Sequence, residues 1–165
     1  MSIKQLTVFV ENKQGAVIPI TEILSENNIN IRALSIAETQ EFGILRLIVN
    51  DIEAAEKILT EAGYLIKVTD VVGVKIGDAP GKLTEALKIL SENKINLEYL
   101  YAFMARTERH AYVVLRVEDN DLAKRALTTS GFHIITEADE AAIFKSNESV
   151  EREKNVCDAV RESFA

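Results

Sequence analysis

Leu6, Val8 and Val10 alternate with Thr7 and Phe9, the period of a strand with one buried face. Gly15 breaks the alternation. Val17, Ile20, Ile23 and Leu24 then recur at helical spacing. Asn27 and Asn28 mark the end of that helix, because Asn tolerates the left-handed conformation of a helix stop. Ile31–Ala37 and Ile44–Asn50 read as a second and third strand, joined by a hairpin turn in TQEFG with Gly43. Asp51 is placed to cap a second helix whose buried face is Ile52, Ala55, Ile58, Leu59 and Ala62. Gly63 stops it, and Tyr64–Thr69 is a fourth strand. The order is βαββαβ, the split βαβ pattern of ferredoxin-like folds.

The same order follows a second time. Val71–Ile76 is a strand, Lys82–Asn93 a helix, and Leu97–Ala105 with Ala111–Val117 a strand pair. Leu122–Ser130 is the next helix and Phe132–Thr136 the last strand. Identity supports the parallel. GAVIPITEILSENNINI from Gly15 matches GKLTEALKILSENKINL from Gly81 at Ile23, Leu24, Ser25, Glu26, Asn27, Ile29 and Asn30. Chance supplies about one match in such a window at ordinary residue usage. VNDIEAAEKILTEAGY from Val49 aligns more faintly with VEDNDLAKRALTTSGF from Val117, the added spacing falling in the hairpin region RTERH. The predicted organisation is a first module over 1–70, a second over 71–145 and a polar tail over 146–165. The fold class is α+β, two such modules side by side with antiparallel sheets and helices on one face. YLIKVTDVVGVKIGD leaves almost no linker, so the two sheets are expected to be continuous or nearly so. AAIF, Ala141–Phe144, reads as a short edge strand. In the tail, Val150, Cys157, Val160 and Phe164 form a narrow stripe interrupted by Glu153, equally compatible with a docked helix and a frayed end.

The strand pattern also bears on assembly. A sheet face open to water should be polar. ILRLIV and AYVVLRV are apolar in both phases, and LYAFM puts Tyr101 and Phe103 on one face with Leu100, Ala102 and Met104 on the other. Such a face is normally covered. The expected cover is another sheet, in a homodimer through sheet faces or edges; the alternative cover is the tail.

Composition narrows the function. The chain has 165 residues, 47% hydrophobic, with a formal net charge of -7. The charge argues against nucleic acid or an anionic membrane as partner. No apolar run nears the ~18 residues of a membrane helix, and the N-terminus reads as a strand, not a signal peptide. Cys157 is the only cysteine, which fits a reducing, cytoplasmic setting.

Candidate binding chemistry gathers at the first strand–helix turn of each copy, ENKQGAV and GDAPGKL. Gly permits a tight bend and close approach of a ligand. The following helix N-terminus favours an anion such as a carboxylate. Asn12 and Asp78 stand three residues before the Gly; each either caps the helix or serves a ligand, Asp78 by accepting from an ammonium group. Asn30 and Asn96 enter the second strands. Each is either a turn former or a donor–acceptor pair suited to a zwitterion.

At these residues the chain resembles the ACT domain, in the N/D-x-x-G turn and the I-N-I or I-N-L entry to the second strand, and the repeat resembles a stand-alone tandem ACT protein over about residues 3–144. DAPG at Asp78–Gly81 is the more typical turn; Asn12–Gly15 lacks the Pro. The resemblance implies a regulatory module that binds an amino acid between paired domains. It implies ligand contacts at Asn12, Gln14, Gly15, Ala16 and Asn30, then Asp78, Gly81, Lys82 and Asn96. No cofactor, no metal and no catalytic residue is expected from the residues present. LTVFVENKQGAV with NINIRALSIAET also resembles the N-terminal half of the acetolactate synthase regulatory subunit. That likeness implies a partner enzyme, and a module that only pairs is a further alternative.

No catalytic constellation is apparent. His110, expected exposed at a hairpin, and His133, expected to start a strand, lie far apart with no metal-ligand spacing. Cys157 lacks an assigned base. EADE and EREK read as solvated segments. Tyr99, Tyr101 and Phe103 suggest base stacking as in RNA-binding sheets, but the basic–aromatic pattern is missing and the charge has the wrong sign.

Overall fold

A computed structural model describes residues 3–38, 42–104, 110–136, 138–139 and 142–143. Strand β1 (Ile3–Glu11) leads into helix α1 (Ile18–Glu26), strands β2 (Ile31–Glu38) and β3 (Phe42–Val49), and helix α2 (Ile52–Glu61). Strand β4 (Leu65–Gly77) is followed by α3 (Lys82–Glu92), β5 (Leu97–Ala102), β6 (His110–Val117), α4 (Asn120–Thr129) and β7 (His133–Ile135). Local chemistry explains the helix ends. Asp51 accepts from the Ala54 N–H at 3.0 Å and Asp119 from Leu122 N–H at 2.9 Å, each satisfying an otherwise open helix donor. Asn28 and Lys94 adopt φ of 55° and 57° where α1 and α3 stop. Asn27 and Asn93 also donate back to the carbonyls of Ile23 and Ile89. The repeat thus extends to the caps.

The expected linker is no linker at all. β4 is one strand in which Ile3–Phe9 pair with Val71–Leu65, while Val72–Gly77 pair with β6. β7 pairs with Gly73–Lys75 of the same strand. All pairings are antiparallel, and the sheet order is β2-β3-β1-β4-β6-β5 with β7 on β4. β4 therefore serves as last strand of the first copy and first strand of the second.

Alternating phases build separate cores. Leu6, Val8 and Val10 of β1 meet Ile20 and Leu24 of α1 and Ala55 and Leu59 of α2. Val72, Val74 and Ile76 of β4 meet Ala86, Leu90, Ala123 and Leu127 of α3 and α4. Each fully buried Leu or Ile in these layers contributes about 1.5–3 kcal/mol. The opposite phase builds a third core shared by the two copies. Ile3, Ala33, Ile48 and Val71 pack with Tyr101, Phe103, Tyr112, Val114 and Ile135. The sheet curls until its edge strands meet: Ala33 bridges Phe103, and the Met104 N–H donates to the Arg32 carbonyl at 2.8 Å. Bulges at equivalent places make this possible. Register shifts between Ile31 and Ala33 and between Leu97 and Tyr99 turn the following residues from the helix side to the inner side.

The inner core and its surroundings correct two expectations, the homodimer cover and the edge strand, and add a reason against base stacking, which the sequence already disfavoured. The cover over the apolar faces is the chain's own other half, so those faces no longer argue for a homodimer through sheet faces. Tyr101 and Phe103 are each 8% exposed, so the aromatic face is not open for base stacking. Ala142 and Ile143 are helical, not an edge strand, and Ile143 packs on the inner core. Thr136 and Asp139 explain that switch: the Asp139 N–H donates to Thr136 Oγ1 at 3.2 Å and the Thr136 N–H to Asp139 Oδ2 at 2.9 Å. This is a capping box, so Thr136 caps the start of a helix that includes Ala138 and Asp139. Two smaller corrections concern Gly43, which lies inside β3, and His110, which is half-buried at the start of β6. Residues 146–165, with Val150, Cys157 and Phe164, lie outside the described residues.

Candidate functional site

The two turns lie at opposite ends of β4's paired halves. At the first, Asn12, Gln14 and Gly15 are exposed and Ala16 is half-buried. Gly15 has φ +77°, a conformation that a side chain would strain. The Ala16 N–H returns to the Lys13 carbonyl and the Ile18 N–H to the Gly15 carbonyl. The N-cap of α1 is Val17, with no side-chain cap. Asn12 is therefore not the cap of this helix, and Asp78 does not cap α3, whose N-cap Gly81 (φ 90°) is likewise without a side-chain partner.

A cleft of about 530 Å³ opens beside the first turn. Gln14, Gly15, Ala16 and Pro19 form one wall, and Phe9, Phe42, Tyr64 and Leu65 form an apolar opposite side. Glu11 and Lys13 stand at its rim as an ion pair. Their contact lowers the Glu11 pKa and raises that of Lys13, through the hydrogen bond first and the opposite charge second. Tyr64, Leu65 and Phe42 were not among the expected site residues; they come from the α2–β4 connection and the start of β3, which only the sheet pairing brings to the turn. A second, smaller hollow of about 270 Å³ contains Asn12, Ala16 and Ile36.

The second turn differs. The Lys82 side chain lies over Gly77, 3.3 Å from where a Cβ would stand. Its Nζ donates to both Glu85 carboxylate oxygens, at 3.0 and 2.9 Å. Glu85 already places a negative charge in the first turn of α3, whereas α1 has no acid there. At the second turn the helix start is thus already served by the paired Glu85 carboxylate, which the first turn lacks. Pro19 leaves α1 with one donor fewer.

Asn30 and Asn96 do not join the turns of their own copies. Asn30 is exposed beyond α1, where its N–H donates to Asn50 Oδ1 at 2.8 Å and its carbonyl accepts from Asn50 N–H. The β2–β3 pairing runs from Ile31/Val49 at that end to Glu38/Gly43 near the turn, a separation of about 20 Å at strand rise. Asn96 sits likewise against the Glu118 N–H. Within one copy, then, the expected residues split into a turn group and an exit group.

The chain belongs to the ACT domain pair family, whose model matches residues 1–144. A crystal structure of a protein from Bacteroides thetaiotaomicron is 38% identical, with a TM-score of 0.79, covering 85% of this chain and 96% of that one. The ligand-free regulatory subunit of aspartate kinase from Thermus thermophilus shares the fold at 15% identity and a TM-score of 0.58, over 78% of this chain and 92% of that one. No curated protein matches the chain. Among the described residues, no helix is long and apolar enough to cross a membrane, and no group of three or more His, Cys, Asp or Glu side chains is placed to hold a metal.

Proposed function

We propose that the chain is a non-enzymatic regulatory protein that binds an amino acid at its first strand–helix turn. The observation that carries this reading is the cleft lined by Gln14, Gly15 and Ala16 in a member of the ACT domain pair family. Its apolar side suits a large apolar side chain, and the polar turn suits the ligand's charged groups. The second turn, filled by Lys82 and countered by Glu85, has a pairing role in this reading. The family model spans both copies, which supports the paired reading over the one-copy likeness to the acetolactate synthase subunit. The signal passes to a partner, an enzyme among the candidates, in the cytoplasm. A homodimer would use the outer side of β2, where Leu34 and Ile36 are exposed beside the small hollow.

A thermal-shift screen against the twenty amino acids tests this. Ligand at 100 times its Kd stabilises by about 2.7 kcal/mol, a rise of several degrees for a chain this size. Gly15→Val should remove the response, because φ +77° admits a side chain only with strain. No response to any amino acid overturns the proposal. A response lost in Asp78→Ala with Asn96→Ala, but kept in Gly15→Val, moves the site to the second copy.

A further inference from the structure

On the inner face of the first module, Ser35, Arg46, Thr7 and Lys67 form one cross-strand row. Ser35 pairs with Arg46, Arg46 with Thr7, and Thr7 with Lys67. Residues directly opposite on adjacent strands share a face, and Arg46 confirms which: its guanidinium lies 3.9 Å from the Tyr99 ring centroid. Arg46 is half-buried and Lys67 exposed. Among the described residues neither Arg46 nor Lys67 is in an ion pair. Thr7 is 7% exposed, and its Oγ1 accepts from Gln5 Nε2 at 3.0 Å, which leaves the hydroxyl proton free to donate. Two cations thus share one row of the sheet, with only Thr7 between them, in a chain whose net charge is -7.

We infer that Arg46 and Lys67 hold an oxyanion, a carboxylate or a phosphate group, with the Thr7 hydroxyl between them and the Ser35 hydroxyl on the far side of Arg46. The two cations stand about 10 Å apart at Cα, two strand spacings, so their long side chains can converge on one group. The Tyr99 ring restrains the Arg46 guanidinium by cation–π contact, and a restrained guanidinium fork is suited to bidentate contact with an oxyanion. This site lies deeper on the sheet than the turn cleft and shares none of residues 12–16, so it stands or falls separately from the amino-acid reading.

The test is an NMR titration of the full-length protein with inorganic phosphate and, separately, sodium acetate, ionic strength held constant with chloride. The Arg46 Nε–H and the backbone amides of Thr7 and Lys67 should shift along a saturable curve. Lys67→Ala, at an exposed position outside all three cores, should weaken binding about tenfold, the loss of one charge-assisted contact. Arg46→Gln should weaken it at least as much. Gln14→Ala should leave it unchanged. Saturation by phosphate alone or acetate alone names the group. Saturation by neither, or curves unchanged in Lys67→Ala, overturns the inference.

Discussion

Replacing Gln5 with Leu tests how the two copies are held together. Gln5 is fully buried on the inner face of β1. Its Nε2 donates to Thr7 Oγ1 at 3.0 Å and to the Tyr99 hydroxyl at 2.9 Å, and its Oε1 accepts from the Tyr101 hydroxyl at 2.8 Å. Tyr99 and Tyr101 belong to the second copy, with rings stacked at 6.5 Å. Leu has nearly the volume of Gln, so Gln5→Leu removes hydrogen bonds without opening a large cavity. The cost comes from the partners left behind. The Tyr101 hydroxyl, in a residue 8% exposed, loses its acceptor, and an orphaned buried polar group costs about 1–3 kcal/mol. Tyr99 is half-buried and can turn to water, so its share is smaller. Thr7 adds part of a further hydrogen bond, and the sum is about 2–4 kcal/mol. Urea unfolding of Gln5→Leu, Tyr101→Phe and the double variant reads this as a cycle. The double variant should be more stable than the two single losses added together, by about 1–2 kcal/mol, because Phe leaves no hydroxyl to orphan. Strictly additive losses, or a neutral Gln5→Leu, would refute the claim that this cluster joins the copies.

Three further predictions follow from the same packing. Burial raises the Tyr101 pKa, helped by neighbouring Tyr99. Its neutral form is favoured in the fold, so this contribution is intact below the unfolded value near 10 and falls above it by about 1.4 kcal/mol per pH unit; alkaline unfolding of Tyr101→Phe should be correspondingly shallower. Gly73 lies opposite Ile135 where β7 pairs with β4, and an added Cβ would press on Ile3 and stand 3.1 Å from Ile135 Cβ. Gly73→Ala should lower stability by about 1–3 kcal/mol, the usual cost of overpacking, and a neutral result in urea unfolding would contradict the close approach. Hydrogen bonds from Thr136 lower the Asp139 pKa, with His133 a lesser cause. The helix start after β7 is therefore supported above the unfolded carboxylate pKa and weakened as pH falls through the folded value. Thr136→Ala should speed amide exchange at Asp139 and nowhere in β1.

Elements whose cause is local could be read from sequence. The 3.6-residue spacing of Val17, Ile20 and Leu24 gave α1, and Asp51 as a cap gave the start of α2. The absence of Pro or Gly-rich linker between Leu65 and Gly77 pointed to joined sheets. What could not be read was which surface covers the inner face. Apolar residues in both phases require a cover, but only the curl set up by the bulges after Ile31 and Leu97 brings the second copy's Tyr101 over the first copy's Gln5. The TEAD capping box was a legible signal hidden by its acidic content. At the site, the Asn12–Ala16 turn was visible through its Gly, whereas Tyr64 and Leu65 arrive by pairing across more than fifty residues. Asn30 shares a motif with the turn but not a place, because α1 carries the chain to the other end of the sheet.

The central claim is that the first turn, and not the second, receives the ligand. Amide chemical-shift mapping with the amino acid that gives the largest thermal shift tests it most directly. The largest changes should fall at Gln14, Gly15, Ala16, Tyr64 and Leu65, with Gly77–Lys82 nearly still. Changes centred on Asp78, Gly81 and Lys82, with the first turn unmoved, would contradict it.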